Sequence, residues 1–475
     1  MTARQIYIEE MITRRLLALA ATPLLAVLLA GASQEGGASP GAAGAGDPYF
    51  PQSGDGGYHV VHYGLSLGYT PATRRLTGTA VLTSTALQDL SAFDLDLSGP
   101  TVSKVLVDGS PANFSQAGGK LVVTPASDID KGASFRTTVG YSGVPAPVTD
   151  PDGSADGWIT QADGSSFVAG EPQGAMTWFP ANGHPLDKST YDIAVAVPHG
   201  WTAVSNGRLV SQRDESSTTV FAWRESRLTA ASLVTASVGR FQVGQYWTST
   251  GLPVFNAVDP REAKAAAPVL AQLPDVISWE SLMFGRYPFD SAGAIVEHAP
   301  GVGYALETLS RPVYDRAPDI DTLVHETAHQ WFGDSVSLDT WKDVWLNEGF
   351  ATYTEWLWDA QHGGPSTAAR FAADAALPAG DDLWSRPAAD PGDSAHLFGT
   401  PTYERGAMTL EKLRETVGDR AFFSILRAWA TDHRYGHGDT AQFVALSKKL
   451  APQDSKTLDG LFTTWLYGQG KPAQP

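Results

Sequence analysis

The sequence predicts two domains in tandem, an all-β one followed by a mainly helical one with a small sheet in front, a multidomain β plus α+β class. Three observations carry that expectation. The chain has 475 residues, 43% of them hydrophobic, enough to fill two cores. Alternation with a period of two runs from Tyr58 to about Tyr246, punctuated by Gly, Asp and Pro turns. Beyond Pro253 the apolar spacing becomes helical.

In chain order, residues 1–32 form a signal peptide. Arg14 and Arg15 precede an apolar run from Leu16 to Ala30, and Ala30-Gly31-Ala32 is a small-x-small cleavage site. The run is short for a bilayer span, so export with cleavage is preferred to an uncleaved anchor, and no stable membrane span is expected after processing. Thr13 to Leu17 resembles a twin-arginine signal, which implies a bacterial, secreted or extracytoplasmic protein; Met1 and Met11 both remain as starts. Residues 33–53 are Gly, Ala, Ser and Pro-rich and read as a disordered linker.

Residues 54–247 form the β domain, a sandwich or saddle of twisted sheets. Its strands are expected at His62–Tyr69, Leu76–Thr83, Phe93–Leu97, Val102–Val107, Leu121–Val123, Phe135–Tyr141, Tyr191–Val197, Trp201–Ser205, Thr218–Trp223 and Leu233–Val238, with Val148–Gly170 as a long loop. Residues 248–475 form the second domain. Helical spacing covers Glu262–Phe284, with a break near Pro274, then Asp321–Phe332, Leu346–His362, Tyr403–Val417, Ala421–Thr431, Ala441–Leu450 and Leu458–Tyr467. Ala292–Val296 is the strand candidate between them.

Composition narrows the chemistry. There is no cysteine, so a metal would be held by imidazole and carboxylate alone. A formal charge of -18 argues against nucleic acid as a partner, because phosphate contacts need a basic face. His325-Glu326-Thr327-Ala328-His329 is an HExxH motif within a predicted helix. Histidines four apart project from one face and can share one ion, with Glu326 beside them to take a proton from a metal-activated water. Glu348, at the head of the next predicted helix, supplies the third ligand; two nitrogens and one oxygen point to one catalytic Zn(2+) per chain.

The run from His325 to Gly333, followed by Trp341-Lys342-Asp343-Val344-Trp345-Leu346-Asn347-Glu348-Gly349-Phe350-Ala351-Thr352-Tyr353, resembles the signature of the M1 family of zinc aminopeptidases, the aminopeptidase N-like gluzincins. The resemblance implies a thermolysin-like catalytic domain and peptide substrates. It assigns Tyr403, in Tyr403-Glu404-Arg405-Gly406-Ala407, to the oxyanion. It assigns Glu307 to the substrate α-ammonium, although Tyr304, Leu306 and Thr308 replace the family's usual glycine, methionine and asparagine. Glu171, eight residues before Phe179-Pro180, is the second such carboxylate. Asp334 and Asp343 are candidates to orient the imidazoles, with helix capping as the alternative.

The expected function is therefore hydrolysis of the N-terminal peptide bond. Two alternatives stand beside it: a zinc endopeptidase with an open cleft, motivated by the altered stretch Tyr304 to Thr308, and a catalytically inactive peptide-binding protein. Only 122 residues follow Tyr353, so a short form without the family's large C-terminal helical domain is expected. Oligomeric state is left open by the sequence.

Overall fold

A computed structural model describes residues 37–473, so the signal-peptide reading of residues 1–32 lies outside the described residues. The β domain is built on an eight-stranded sheet. Its spatial order is Arg208–Glu215, Thr218–Ala230, Lys188–Pro198, Tyr58–Thr70, Arg75–Ala86, Ser134–Gly143, Thr101–Val107 and Ser110–Pro111. Neighbours are antiparallel except Lys188–Pro198, which runs parallel to Tyr58–Thr70. Alternation explains the layering: along Tyr58–Thr70, Tyr63, Leu65, Leu67 and Tyr69 are buried and the residues between them are more open.

Val148–Gly170, expected as a loop, contains a hairpin, Ala155–Thr160 paired with Ser166–Ala169. It belongs to a five-stranded sheet with Val148–Thr149, Ala236–Gly239 and Thr202–Ser205. All four residues of Ser166–Ala169 are buried, so this strand lacks the polar face that would have revealed it.

A second five-stranded sheet joins the two halves. It orders Gln242–Trp247, Pro253–Val258, Ala292–Val296, Val313–Tyr314 and Ala305–Leu306. Pairing thus begins at Gln242, so this strand, assigned by sequence to residues 54–247, joins the catalytic sheet. Alternate residues enter different cores. Val254, Val258, Ala294, Val296 and Tyr314 pack with the helices, whereas Phe255, Ala257, Ile295 and Val313 pack with the β domain. One sheet therefore serves both cores as a wall.

Nine α-helices follow among the described residues: α1 (Ala263–Leu270), α2 (Leu273–Phe284), α3 (Ile320–Ala328), α4 (Trp345–Gln361), α5 (Thr367–Ala375), α6 (Gly406–Val417), α7 (Asp419–Asp432), α8 (Thr440–Leu450) and α9 (Ser455–Leu466). Helix α5 was absent from the sequence expectation. Among the described residues no helix is long and apolar enough to cross a membrane.

The expected disordered linker over 33–53 is corrected from Ser39 onward. Ser39–Pro40 pairs in parallel with Leu90–Asp96. The buried Asp47 carboxylate accepts from Trp341 N at 2.8 Å and lies 3.2 Å from His184 Nε2. Phe50 packs edge-on against Trp341, with centroids 6.0 Å apart. A segment poor in apolar residues is ordered here by a few long-range contacts reaching both halves of the molecule. From the β domain, Lys188 Nζ donates to Asp334 O, Ser335 O and Gly436 O, clamping the turn behind α3.

Candidate metal centre and active site

Helix α3 starts at an Asp319 cap, whose carboxylate accepts from Thr322 N at 2.8 Å. Its helical spacing then presents His325 and His329 together, with ring centroids 4.8 Å apart. Helix α4 crosses it and brings Glu348 from its first turn: Glu348 Oε2 is 3.2 Å from His325 Nε2 and 3.4 Å from His329 Nε2. The chain leaves α3 at Gly333, whose φ of +128° and whose ideal Cβ position, 3.2 Å from His329 Nδ1, favour glycine.

The remaining ring nitrogens are also engaged. His325 Nδ1 donates to Glu355 Oε1 at 2.6 Å, and His329 Nδ1 donates to Phe332 O at 3.0 Å. Each imidazole thereby directs a lone pair from Nε2 toward the Glu348 carboxylate. Two lone pairs and a carboxylate oxygen repel one another unless a cation lies among them. The ligand atoms of His325, His329 and Glu348 all lie within 4.8 Å of one another. The donor set fits one zinc ion. Without a metal a proton takes the cation's place: although burial opposes it, Glu307 and Glu348 hold His329 up to about 9, and metal binding requires its loss.

Glu326 is buried, and its Oε2 has no hydrogen-bond partner among the described residues. Burial pushes its carboxyl up to about 8, while positive charge on His325 and His329 pulls the other way. Tyr403 stands opposite, its ring nearly parallel to His325 with centroids 6.1 Å apart. It lies in the π-helical turn Pro401–Arg405 that leads into α6. A Cβ on Gly349 would sit 2.9 Å from the Gly406 Cα, so paired glycines let α4 and α6 approach and carry Tyr403 over the site. Arg405, standing where the resembled pattern has lysine, is buried and donates to the carbonyls of Trp465, Thr464 and Gly468, tying this turn to the end of α9.

Glu307 follows the edge strand Ala305–Leu306 and places Oε1 3.7 Å from His329 Nδ1. Glu171 reaches the same space from the β domain; burial, then the charge of Glu307, drives its carboxyl well above the carboxylate range. One cavity of about 380 Å³ is lined by His325, Glu326, His329, Glu348, Tyr403, Glu307 and Glu171. A larger cavity, about 810 Å³, contains none of them.

Asp334 and Asp343 lie outside the 380 Å³ cavity. Asp343 accepts from Thr340 Oγ1 and Thr440 Oγ1, and neither oxygen of buried Asp334 has a hydrogen-bond partner among the described residues. The expectation that they orient the imidazoles is corrected, since Glu355 and the Phe332 carbonyl already take both Nδ1 atoms. Glu355 follows Glu348 by seven residues, two helical turns, so spacing along α4 was the signal available for it. Gln330 was also missed: its Oε1 accepts from Ser310 N at 2.7 Å and its Nε2 donates to Glu307 O at 3.3 Å, joining α3 to the Glu307 segment.

The Peptidase family M1 domain model matches residues 307–465. Aminopeptidase N of Streptomyces lividans is 27% identical over 345 residues, covering 61% of this chain and 39% of that protein. Aminopeptidase M1 of Arabidopsis thaliana is 26% identical over 340 residues, covering 64% and 36%. The chain thus spans under half the length of these curated relatives. The M1 zinc metallopeptidase of Deinococcus radiodurans superposes with a TM-score of 0.82 at 28% identity, over 91% of this chain and 98% of that one. A mutant of it, crystallised with a Tyr-Ser-Ala substrate, matches with the same TM-score and identity. The β-rich domain followed by the mainly helical, thermolysin-like domain is thus the arrangement found there, and the chain has the fold of the M1-family zinc aminopeptidases, with a domain span similar to that of the two-domain Deinococcus metallopeptidase.

Proposed function

We propose that the protein is a zinc-dependent aminopeptidase that hydrolyses the N-terminal bond of peptides. One observation carries this reading: Glu307 and Glu171 meet in the cavity that holds the metal ligands. An ammonium ion between Glu307 and Glu171 supplies the positive charge that favours ionisation of the pair, so the two form a seat for an α-ammonium group, and a seat at fixed distance from the metal restricts reaction to the first peptide bond. The Tyr-Ser-Ala substrate of the Deinococcus structure is compatible with such a seat.

When bound to His325, His329 and Glu348, zinc supplies a Lewis acid that activates water and polarises a carbonyl. Glu326 removes the proton from the attacking water and returns it to the departing amine. The Tyr403 hydroxyl donates to the oxyanion of the tetrahedral intermediate. Glu355 and the Phe332 carbonyl keep the imidazoles turned for binding.

Paired peptides with free and acetylated amino ends test the reading. Release of the first residue from the free peptide alone is expected. Equal cleavage of both would leave a zinc endopeptidase. The proposal includes export, on the strength of residues 1–32; a secreted protein whose N-terminus is Ser33 is the expected product.

A further inference from the structure

The catalytic cavity carries an acidic group that the proposed reaction does not use. Glu326, Glu348, Glu307 and Glu171 have tasks, but Asp152 also lines the cavity, and among the described residues no lysine or arginine does. Asp152 sits in the turn between Val148–Thr149 and Ala155–Thr160. Its Oδ1 accepts from Ser154 N at 2.8 Å and Ser154 Oγ at 2.7 Å, which holds the carboxylate in place and leaves Oδ2 for another partner.

Aromatic residues accompany it. The Tyr304 hydroxyl donates to Ala155 O at 2.6 Å, binding this ring to the same turn, and Phe398 also lines the cavity. Burial first, then the charges of Asp156, Asp150 and Asp152, suppress ionisation of Tyr304, which agrees with the carboxylates of this turn lying near its ring. Aromatic surface beside a free carboxylate suits an aliphatic stem ending in a cation.

We infer that Asp152 and Tyr304 form part of the pocket for the first substrate side chain and select arginine or lysine there. This rests on the aminopeptidase reading. Asp152 is exposed, so its effect on selectivity is expected to be roughly fivefold and to weaken with salt. The departure of residue 304 from the resembled motif thereby becomes a specificity feature.

The test compares kcat/KM for arginine, lysine and methionine 4-nitroanilides at low and high salt, in the parent and in Asp152→Asn. The expected result is a cation-to-methionine ratio above one in the parent that falls roughly fivefold in the variant and with added salt, because the cationic substrates lose more than methionine does. A ratio unchanged by Asp152→Asn, or a parent that prefers methionine, would overturn the inference. Calorimetric binding of Arg-Ala and Met-Ala to zinc-loaded Glu326→Gln protein decides the point without turnover. Equal affinities overturn it. Failure of the aminopeptidase reading is separate: neither arginine nor methionine would then be released from free peptides.

Discussion

On the helical side of the cavity, α3 and α4 give each metal-facing imidazole a fixed neighbour, whereas the side built from the β domain and the 305–307 edge presents carboxyls pressed against one another. His325 and His329 have both ring nitrogens engaged, one with an acceptor and the other facing Glu348. Across the cavity Glu307 Oε1 has no hydrogen-bond partner among the described residues, and Glu171 is pushed up by burial and by Glu307. In the proposed reaction the difference separates two tasks. A metal seat gains from rigid orientation, while a substrate seat must keep polar groups free for a ligand that comes and goes.

The largest expected effect is on the helical side. Glu326→Gln should reduce kcat/KM by roughly a thousandfold with zinc content unchanged, checked by steady-state kinetics and metal analysis. A variant that hydrolyses as fast as the parent would remove Glu326 from the reaction. Tyr403→Phe should lower kcat by about a hundredfold with little change in KM, since its hydroxyl is invoked only for the oxyanion. Glu355→Gln should weaken zinc binding roughly tenfold or more in a chelator competition, while turnover of the loaded protein changes less.

The smallest effect sharpens the other side. Burial, then the charge of Asp150, pushes the Asp156 carboxyl from 3.8 to about 9. The folded protein therefore holds a proton that the unfolded chain releases near pH 4. That contribution to stability is complete below pH 4 and is lost as pH rises through about 9. Asp156→Asn should flatten the decline, so that melting temperature falls less between pH 6 and 9.5 than in the parent. Equal declines would show that Asp156 does not keep its proton.

Much of the helical side was legible in the sequence because its geometry is local. Histidines four apart and a glutamate heading the next helix declare one metal seat through spacing alone. The long strands were legible from period-two burial, as in Tyr58–Thr70. What escaped depends on distant partners. The Ser39–Phe50 segment is ordered by contacts such as Asp47 with Trp341, 294 residues away, which local composition cannot express. The hairpin of Ala155–Thr160 with Ser166–Ala169, and the turn before it that carries Asp152, hid behind their Asp, Gly and Ser content, and the strand Ser166–Ala169 is buried throughout. Asp334 and Asp343 are candidates because a ligating imidazole donates its other N–H to an acceptor, with helix capping as the alternative, but the direction of each imidazole N–H depends on how α3 ends and α4 crosses it.

The central claim is that the two sides work separately, one for hydrolysis and one for measuring from the amino end. The most direct measurement is kcat/KM for one peptide, free and acetylated, with parent and Glu307→Gln proteins whose zinc content is determined in parallel. The account predicts a large preference for the free peptide in the parent, and its collapse in the variant with zinc still near one ion per chain. No preference in the parent, or an undiminished preference in the variant, would contradict it.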